Sequence, residues 1–469
     1  MTEPAPAVVH IDAAERAARG KEARKSLPRT ANAAWAPPAT RADPFTLLSA
    51  QEKTRVPELV PIRHERMRES PFAFYRGAAV IMAADLAAGP SSELRVQCCG
   101  DAHLVNFGGF SAPDRRIVFD INDFDETSTG PFEWDVKRLA ASFEIAARSR
   151  GFSTTGTEPV AQHAARSYRE AMQQFTAMTN LDVWYARLDA DALLAQLQAR
   201  VAQREVKRVA RVVAKAQTKD SLRAFNKLTE TVDGQVRIVS DPPLIVRVDD
   251  VASDLGVDPD QVHDWLREHF RRYRQSLEPD RRHLLEGYRL VDAARKVVGV
   301  GSVGTRCWIV LLLGLDDGDP LFLQVKEAEP SVLEAHAGKS EYANHGQRVV
   351  EGQRLVQASS DILLGWFRAH APDGVERDYY VRQLWDGKVS ADIENITEEN
   401  LAIYAEVCAW TLARAHARSG DRIAIASYLG SGVVFDRAIG EFAVAYADQN
   451  QRDYDSFVAA LTDKEAVKQ

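Results

Sequence analysis

The segment "GDAHLVNFG", residues 100–108, places an aspartate, a histidine and an asparagine between two glycines. Asp101 could accept a proton from a hydroxyl, and Asn106 could share a metal ion with a carboxylate. We expect His103 to hold the loop by hydrogen bonds. In the simpler alternative, the aspartate and the asparagine only satisfy backbone donors in turns.

A dense group of acids follows in "FDINDFDE" and favours the chemical interpretation. Four acids so close repel one another unless a cation or a base lies near them. Mg²⁺ prefers hard oxygen ligands of this kind and completes its coordination with water and substrate phosphates. The acids of the group are Asp120, Asp123, Asp125 and Glu126.

A second motif, "GVGSVG", runs from Gly299 to Gly304. A dinucleotide-binding fingerprint would need a helix after it, but "TRCWIVLLL" is rich in β-branched and aromatic residues and predicts a strand. A glycine-rich turn between two strands is the kinase-type arrangement, in which the turn covers nucleotide phosphates. Gly299, Gly301, Ser302 and Gly304 are therefore candidate nucleotide-binding residues.

Lys326 is the lone cation of the apolar strand "LFLQVKEA". Burying an unpaired ammonium group is costly, so we expect an acidic partner. Glu351, in the helical segment "VVEGQRLVQ", is the favoured partner, with Glu334 and Glu341 as alternatives. An ordinary hairpin with a surface lysine is the competing interpretation.

The elements that must position these residues follow from hydrophobic periodicity and turn signals. "LRVQCCGD" and "RRIVFDIND" read as strands joined by the first motif, and "PFEWDVKRLAASFEIAARS" reads as an amphipathic helix. The glycine motif opens a β-hairpin pattern with the turn "DDGD". A helix, the strand "DYYVRQLWDGK" and the helix "EENLAIYAEVCAWTLARAHARS" follow.

This pattern predicts five parts of the chain. They are a mobile arm (1–45), a part with the catalytic loop (46–150), a mainly helical insertion (151–290), a β-rich nucleotide-binding part (291–395) and C-terminal helices (396–469). Within the insertion, residues 200–227 carry nine Lys and Arg against two acids. This basic segment is either a solvated helix face or a docking surface for an anionic substrate or partner.

Composition excludes several classes of protein. The 469 residues carry a net charge of −8, which argues against a general affinity for nucleic acid or anionic membranes. The apolar run "CWIVLLLGL" is too short to cross a bilayer, and the N-terminus has no apolar signal-peptide core. The four cysteines show neither a C-x-x-C motif nor a disulfide framework. We expect a cytoplasmic protein.

The segment from Gly100 to Ala140 resembles the catalytic segment of aminoglycoside-phosphotransferase-type kinases. The resemblance implies that Asp101 is the catalytic aspartate and that Asn106 and Asp123 bind the metal. It also matches Asp135 to an aspartate of the following helix. The glycine motif and Lys326 would hold the nucleotide, and Asp120 and Asp125 are candidates for a second metal ion or for orienting Lys and Arg side chains.

In kinases the glycine loop precedes the catalytic loop, whereas here Asp101 precedes Gly299. The resemblance thus implies an α/β (α+β) fold with a protein-kinase-like two-lobe core in circularly permuted order, which is permitted where termini lie close together. Kinases carry a helix like "YAEVCAWTLARAHARSGD" before the catalytic loop. We expect its His416 and the nearby Asp421 to be structural.

Motifs such as "SPFAFYRGAA", "VGVGSVGTRC" and "LARAHARSGD" also resemble a bacterial family, domain of unknown function 2252, over nearly all of residues 50–450. That resemblance implies no activity.

We therefore expect transfer of a phosphoryl group from ATP, with Mg²⁺ or Mn²⁺, to a hydroxyl of a small molecule. The basic segment weakly favours an anionic acceptor. Three alternatives stay open at this point. They are a regulatory module that binds a nucleotide without turnover, transfer of AMP or ligation through an acyl phosphate, and metal-dependent hydrolysis at the acidic group.

Overall fold

The computed structural model describes residues 10–152, 159–198, 207, 210–211, 213–215, 221–254, 258–370, 374–384 and 387–468. The described chain is mixed α/β, as the sequence predicted, and its strand pairs are antiparallel. Short 3₁₀ helices span Arg29–Ala33, Pro57–Leu59, Leu104–Asn106 and Ile393–Asn395. The α-helices of the described residues are Ala13–Ser26, Pro44–Glu52, Val60–Arg68, Pro71–Gly77, Ala79–Ala87, Phe132–Ser149, Val160–Thr176, Asn180–Tyr185, Ala190–Gln198, Ser221–Leu228, Val248–Asp254, Pro259–Gln275, Pro279–Glu286, Glu334–Ala337, His345–Val356, Glu398–Ser419, Arg422–Leu429 and Val434–Lys468.

The strands form four sheets in the described part of the chain. The strands are β1 (Arg95–Cys98), β2 (Phe107–Ser111), β3 (Ile117–Ile121), β4 (Ser128–Pro131), β5 (Leu188–Asp189), β6 (Thr229–Val232), β7 (Gln235–Ile238), β8 (Ile245–Arg247), β9 (Arg289–Lys296), β10 (Cys307–Leu313), β11 (Pro320–Ala328), β12 (Gly365–His370), β13 (Glu376–Gln383) and β14 (Val389–Ser390). A six-stranded sheet has the order β12-β13-β11-β10-β9-β8, a four-stranded sheet has the order β14-β2-β3-β5, and β1-β4 and β6-β7 form two separate two-stranded sheets.

The glycine motif lies where the sequence placed it, between two paired strands. β9 and β10 pair antiparallel on either side of it, and β10 pairs with β11 through the predicted hairpin, with Cys307 opposite Lys326. Most side chains of the apolar run in β10 are buried, because helices cover both faces of the sheet. Lys326 is thereby placed on an inner strand of the sheet, beside the glycine turn.

The segment 151–290 is more than an added helical unit. Helix Pro259–Gln275 packs on one face of the six-stranded sheet and helix Ser221–Leu228 on the other. The segment also contributes β8 as the edge strand of that sheet. Its helices therefore supply part of the core of the nucleotide-binding part predicted at 291–395. Most of the basic segment 200–227 lies outside the described residues.

The arm predicted to be mobile is docked over its described part. Helix Ala13–Ser26 packs against helix Arg422–Leu429, and a Cβ on Gly20 would lie 2.0 Å from the carbonyl oxygen of Ala424. Leu27, which follows the helix, is only 1% exposed. The polar composition of the segment predicted mobility. Because Gly20 has no side chain, the helix can approach Ala424 closely, and the sequence of the segment alone does not reveal this contact.

Among the described helices, none is by itself both long and apolar enough to cross a membrane. One bent pair, Arg422–Leu429 with Val434–Asp463, meets the length and composition requirement only when its two members are counted together.

Candidate active site

The two sequence motifs line one cleft, although almost two hundred residues of chain separate them. The cleft has a volume of about 490 Å³ and lies between the catalytic-type loop and the glycine turn. A second cavity of about 380 Å³ adjoins it and is lined by Lys326. The predicted residues that line the first cleft are Asp101, His103, Asn106, Asp123, Asp125, Gly299, Gly301 and Ser302.

The catalytic-type loop begins at a position that requires glycine. Gly100 has a φ of +82°, and a Cβ there would lie 2.0 Å from the carbonyl oxygen of Glu126. The carboxylate of Asp135, in the first turn of helix Phe132–Ser149, accepts hydrogen bonds from the backbone N–H groups of Cys99 (2.6 Å) and Gly100 (3.0 Å). His416 Nε2 lies 3.2 Å from Asp135 Oδ2. Asp135 and His416 thus anchor the loop without lining the cleft.

Asp101 is held by a buried arginine. Arg138 Nε and Nη2 donate to Asp101 Oδ1 at 2.8 and 2.6 Å, and the guanidinium lies 4.0 Å from the centre of the Tyr75 ring. Asp101 Oδ2 lies 3.7 Å from His103 Nε2, beyond hydrogen-bond distance, and the buried Nδ1 has no partner among the described residues. The expectation that the His103 side chain holds the loop by hydrogen bonds was therefore wrong. Burial lowers the pKa of His103 to about 4, so this histidine is neutral at pH 7. Oδ2 is therefore the carboxylate oxygen that could accept a proton from a substrate.

Asn106 closes the loop from the other side. Its Nδ2 donates to the backbone oxygen of Asp101 at 2.6 Å. Because this bond uses the nitrogen, Oδ1 is the atom of the amide that could bind a metal ion.

Lys326 joins the two halves of the site. Its Nζ lies 2.5 Å from Asp125 Oδ2 and 3.3 Å from Asp123 Oδ1. Tyr380 donates to Asp125 Oδ1 at 2.6 Å, and Ser302 donates to Asp125 Oδ2 at 3.1 Å. Asp125 is thus a junction between the acidic group, the glycine turn and the six-stranded sheet.

Opposing effects act on the carboxyl group of Asp123. Burial alone would raise its pKa, but Lys326, Arg382 and Lys388 together lower the pKa to about 2. Burial alone would lower the pKa of Lys326, but the two aspartates raise it, and the resulting pKa lies well above its usual value. Both groups therefore stay charged at neutral pH.

The partner predicted for Lys326 was wrong. Glu351 forms a salt bridge with Arg354 at 3.3 Å, and Glu334 forms one with Arg348 at 3.3 Å. None of the salt bridges among the described residues joins Glu341 to Lys326. Lysine 326 pairs instead with aspartates of a segment two hundred residues earlier, a contact that only the packing of the two halves creates.

Asp120 does not reach the cleft. It lies within β3, is buried, and pairs with the guanidinium of Arg414, while its Oδ2 accepts the backbone N–H of Ala358 at 3.2 Å. Asp123 and Asp125, in contrast, follow the end of the strand. Gly304 also lies outside the cleft lining; its φ of +92° and its contact with Arg55 explain the glycine there structurally. Asp421 caps helix Arg422–Leu429, as expected of a structural residue.

Further charged residues line the cleft, and only one of them, Glu126, was predicted from the sequence. Burial, and to a smaller extent Asp125 and Asp101, raise the pKa of Glu126 to about 7, and Glu126 Oε2 accepts the backbone N–H of Val332 at 2.7 Å. The acidic cluster pointed to Glu126, but no signal in the sequence singled out the remaining residues. Those residues are Arg55, Arg76, Glu327, Glu329 and Lys388.

The donor set limits the kind of metal site that is possible. The described residues contain no group of three or more His, Cys, Asp or Glu side chains placed to hold a metal ion. Asp123 and the Asn106 amide oxygen offer two hard oxygen donors at the cleft. This set fits Mg²⁺ that takes its other ligands from water and phosphate oxygens, and it does not fit a metal held by protein side chains alone.

Comparison with known proteins gives one match. No curated protein and no solved structure matches the chain. A family model described as "Uncharacterized protein conserved in bacteria (DUF2252)" matches residues 55–460. The match covers most of the 469 residues, and the chain therefore belongs to this bacterial family.

Proposed function

We propose that the protein transfers a phosphoryl group from Mg-ATP to a hydroxyl of a small molecule. The observation that carries the proposal is the shared cleft of Asp101, Asn106 and Asp123 with the glycine turn, beside Lys326. Phosphoryl transfer depends mainly on positioning and on stabilising charge, and this set supplies a base, hard metal ligands and phosphate-binding groups.

The order of elements in the β-rich part supports the proposal. The glycine turn joins the first two strands of an antiparallel meander, β9 and β10, and Lys326 lies on the third, β11. Helix His345–Val356 and two more strands follow. Protein kinases likewise place the glycine-rich loop first, then the lysine on the third strand, then a helix.

A circular permutation of a kinase-like fold would account for the chain order. Helix Glu398–Ser419 follows the β-rich part and contacts the catalytic-type loop directly. The Tyr404 hydroxyl of this helix donates to the backbone oxygens of Leu104 and Phe107, each at 2.9 Å. The helix is thus packed beside the loop that, in an unpermuted kinase, would follow it in sequence.

On this proposal each side chain has one task. Asp101 Oδ2 would take the proton of the acceptor hydroxyl while Arg138 fixes Oδ1. The acceptor oxygen would form a bond to the γ-phosphorus of ATP as the bond from that phosphorus to the β-phosphate oxygen breaks and ADP leaves. Asn106 and Asp123 would hold Mg²⁺, which would supply neutralisation of charge on the phosphates. Lys326 would leave Asp123 to bind the phosphates, and the backbone of Gly299 to Ser302 would cover them.

One observation favours a second candidate, a nucleotide-binding module without turnover. The charged groups already satisfy one another, with Lys326 on Asp123 and Asp125 and Arg138 on Asp101. For turnover Lys326 would have to leave these aspartates, whereas Asp101 can keep its pair with Arg138. Transfer of AMP or ligation uses the same contacts, and no feature of the described residues favours either.

Calorimetric titration of ATP, with Mg²⁺ or with a chelator, tests the proposal. We expect tight binding only with Mg²⁺, weaker binding by Asp123→Asn, and no change in Asp316→Asn, an exposed loop control. Formation of ADP is then measured with candidate acceptors. Equal ATP affinity with and without Mg²⁺ would refute the assignment of Asn106 and Asp123 as metal ligands. ATP binding without any ADP formation would favour the regulatory module.

A further inference from the structure

Two arginines line the cleft on the side of Asp101. Arg55 is only 6% exposed and Arg76 is partly buried. Neither lines the adjoining cavity that contains Lys326. The glycine turn touches both segments: a Cβ on Gly301 would lie 3.4 Å from the Arg76 carbonyl oxygen, and one on Gly304 would lie 3.1 Å from Arg55.

These guanidinium groups are poorly satisfied by protein atoms. Within the described residues, the side chain of Arg76 has neither a hydrogen bond nor a salt bridge, and its Nε is buried. Arg55 donates from Nη1 to the carbonyl oxygen of Val303, but its buried Nε has no partner there. A buried guanidinium without a carboxylate is costly, so an anion that occupies the cleft would offset that cost.

Nearby carboxylates act on the two arginines through space without forming an ion pair with them among the described residues. Asp101 and Glu69 act on Arg76, and Glu329, Glu126, Glu52 and Asp125 act on Arg55. Several of these acids are bonded to other partners. Asp101 pairs with Arg138. The remaining contacts are those of Glu126 with the Val332 N–H, Glu327 with Arg306 and Arg377, and Glu329 with Thr54.

The lining of the two cavities separates two tasks. Asp101, Arg55 and Arg76 line only the first cleft, whereas Lys326 and Arg382 line only the second cavity. Asp123, Ser302 and Lys388 line both and mark the place where they meet. If the nucleotide occupies the cavity of Lys326, the arginines face the acceptor.

We propose that the acceptor carries an oxyanion, a phosphate or carboxylate group, beside its reactive hydroxyl, and that Arg55 and Arg76 bind this group. The proposal rests on the phosphotransferase function above, and it adds the chemical class of the acceptor. A planar guanidinium presents paired donors that match the geometry of such an oxyanion.

Inorganic phosphate is the probe, titrated calorimetrically into the full-length wild-type protein and five variants. Arg76→Gln and Arg55→Gln remove the proposed ligands, Lys326→Met removes the cation of the other cavity, and Arg271→Gln is an exposed control. Mg-ATP is titrated into the same proteins. Because Arg76 makes no hydrogen bond or ion pair through its side chain within the described residues, we expect Arg76→Gln to leave the fold intact, which circular dichroism checks. Arg76→Lys keeps the charge and loses the planar donors.

We expect phosphate affinity to fall about tenfold in Arg55→Gln and in Arg76→Gln and to change little in Lys326→Met and Arg271→Gln. We expect Mg-ATP affinity to fall in Lys326→Met and to change little in these three arginine variants. Arg76→Lys is expected to fall between wild type and Arg76→Gln. Failure of the wild type to bind phosphate at millimolar concentration would overturn the inference. So would loss of Mg-ATP affinity in the arginine variants equal to that in Lys326→Met. If phosphate binding follows the arginines but Mg-ATP does not bind, the anion site stands and the phosphotransferase proposal fails.

Discussion

Replacing Asp101 by asparagine separates the chemistry of the loop from its structural role. The substitution keeps the shape of the side chain and removes its charge, leaving Arg138, whose side chain is 3% exposed, without its carboxylate. Removing one partner of a fully buried ion pair lowers folding stability by about 3 to 5 kcal/mol. Arg138 keeps its bond to the Tyr75 carbonyl oxygen at 2.9 Å, and the Asp101 side chain is 18% exposed. We therefore expect Asp101→Asn to lower the unfolding free energy by about 2 to 3 kcal/mol.

That loss is too small to account for a large fall in activity. A domain with an unfolding free energy of about 5 kcal/mol stays folded in all but a few per cent of molecules after losing about 3 kcal/mol. Loss of a general base lowers turnover by about two to four orders of magnitude. Urea unfolding followed by circular dichroism measures the first quantity, and steady-state ADP formation measures the second.

Asp120→Asn is the matched control, because Asp120 also pairs with a buried arginine, Arg414, but lies outside the cleft. It is expected to destabilise the fold and to leave turnover per folded molecule unchanged. An Asp101→Asn protein that forms ADP at the wild-type rate would show that the loop is not an active site. Unchanged stability in that variant would show that the pair with Arg138 contributes nothing.

Three further outcomes are expected. The fold raises the pKa of Glu126 to about 7, so the ionised form of this group is disfavoured in the folded protein. The unfolding free energy of the wild type, measured in urea, should therefore fall by about 1 to 3 kcal/mol as the pH rises from 4.5 to 7, and that of Glu126→Gln should not show this fall. A Cβ added at Gly299 would have no neighbour within 4 Å, so Gly299→Ala should leave the melting temperature unchanged. It should weaken Mg-ATP binding, because on the proposal the backbone of Gly299 covers the phosphates. Gly304→Ala should lower the melting temperature, because the φ of Gly304 is +92°. Glu351→Ala should leave Mg-ATP affinity unchanged, whereas Lys326→Met should weaken it. An equal effect of both variants in calorimetry would contradict the finding that Lys326 pairs with Asp123 and Asp125 and not with Glu351.

The local elements could be predicted because each carries its own signal. The hairpin of β10 and β11 has β-branched and aromatic residues around a turn, and helix Glu398–Ser419 has a clear apolar periodicity. β2 lies in the segment predicted to connect two strands. At Gly108 the carbonyl oxygen of Val389 would lie 2.3 Å from an added Cβ, so glycine is required there. β2 pairs with β3 over its whole length and with the distant strand β14 at Gly108 and Gly109.

The same distinction holds for the site. Asp101, Asn106 and Asp123 lie in one short segment that resembles a kinase catalytic segment, so they could be proposed together, and the structure places all three at the cleft. The partners of Lys326 could not, because Asp125 reaches it only through the packing of two halves. Arg55 and Arg76 belong to helical and turn segments of ordinary composition, and only the shape of the cleft brings them beside Asp101.

The pairing of Lys326 with Asp125 has a consequence for synthesis of the chain. The two residues are 201 positions apart, and at about 5 to 20 residues per second the lysine is made about 10 to 40 s after the aspartate. During that interval the nascent chain carries the acidic segment without its counter-charge, and β11 does not yet exist to shield it. The cleft therefore assembles late, after the ribosome has added β9 to β13, and a chain released before that point has only one wall of it.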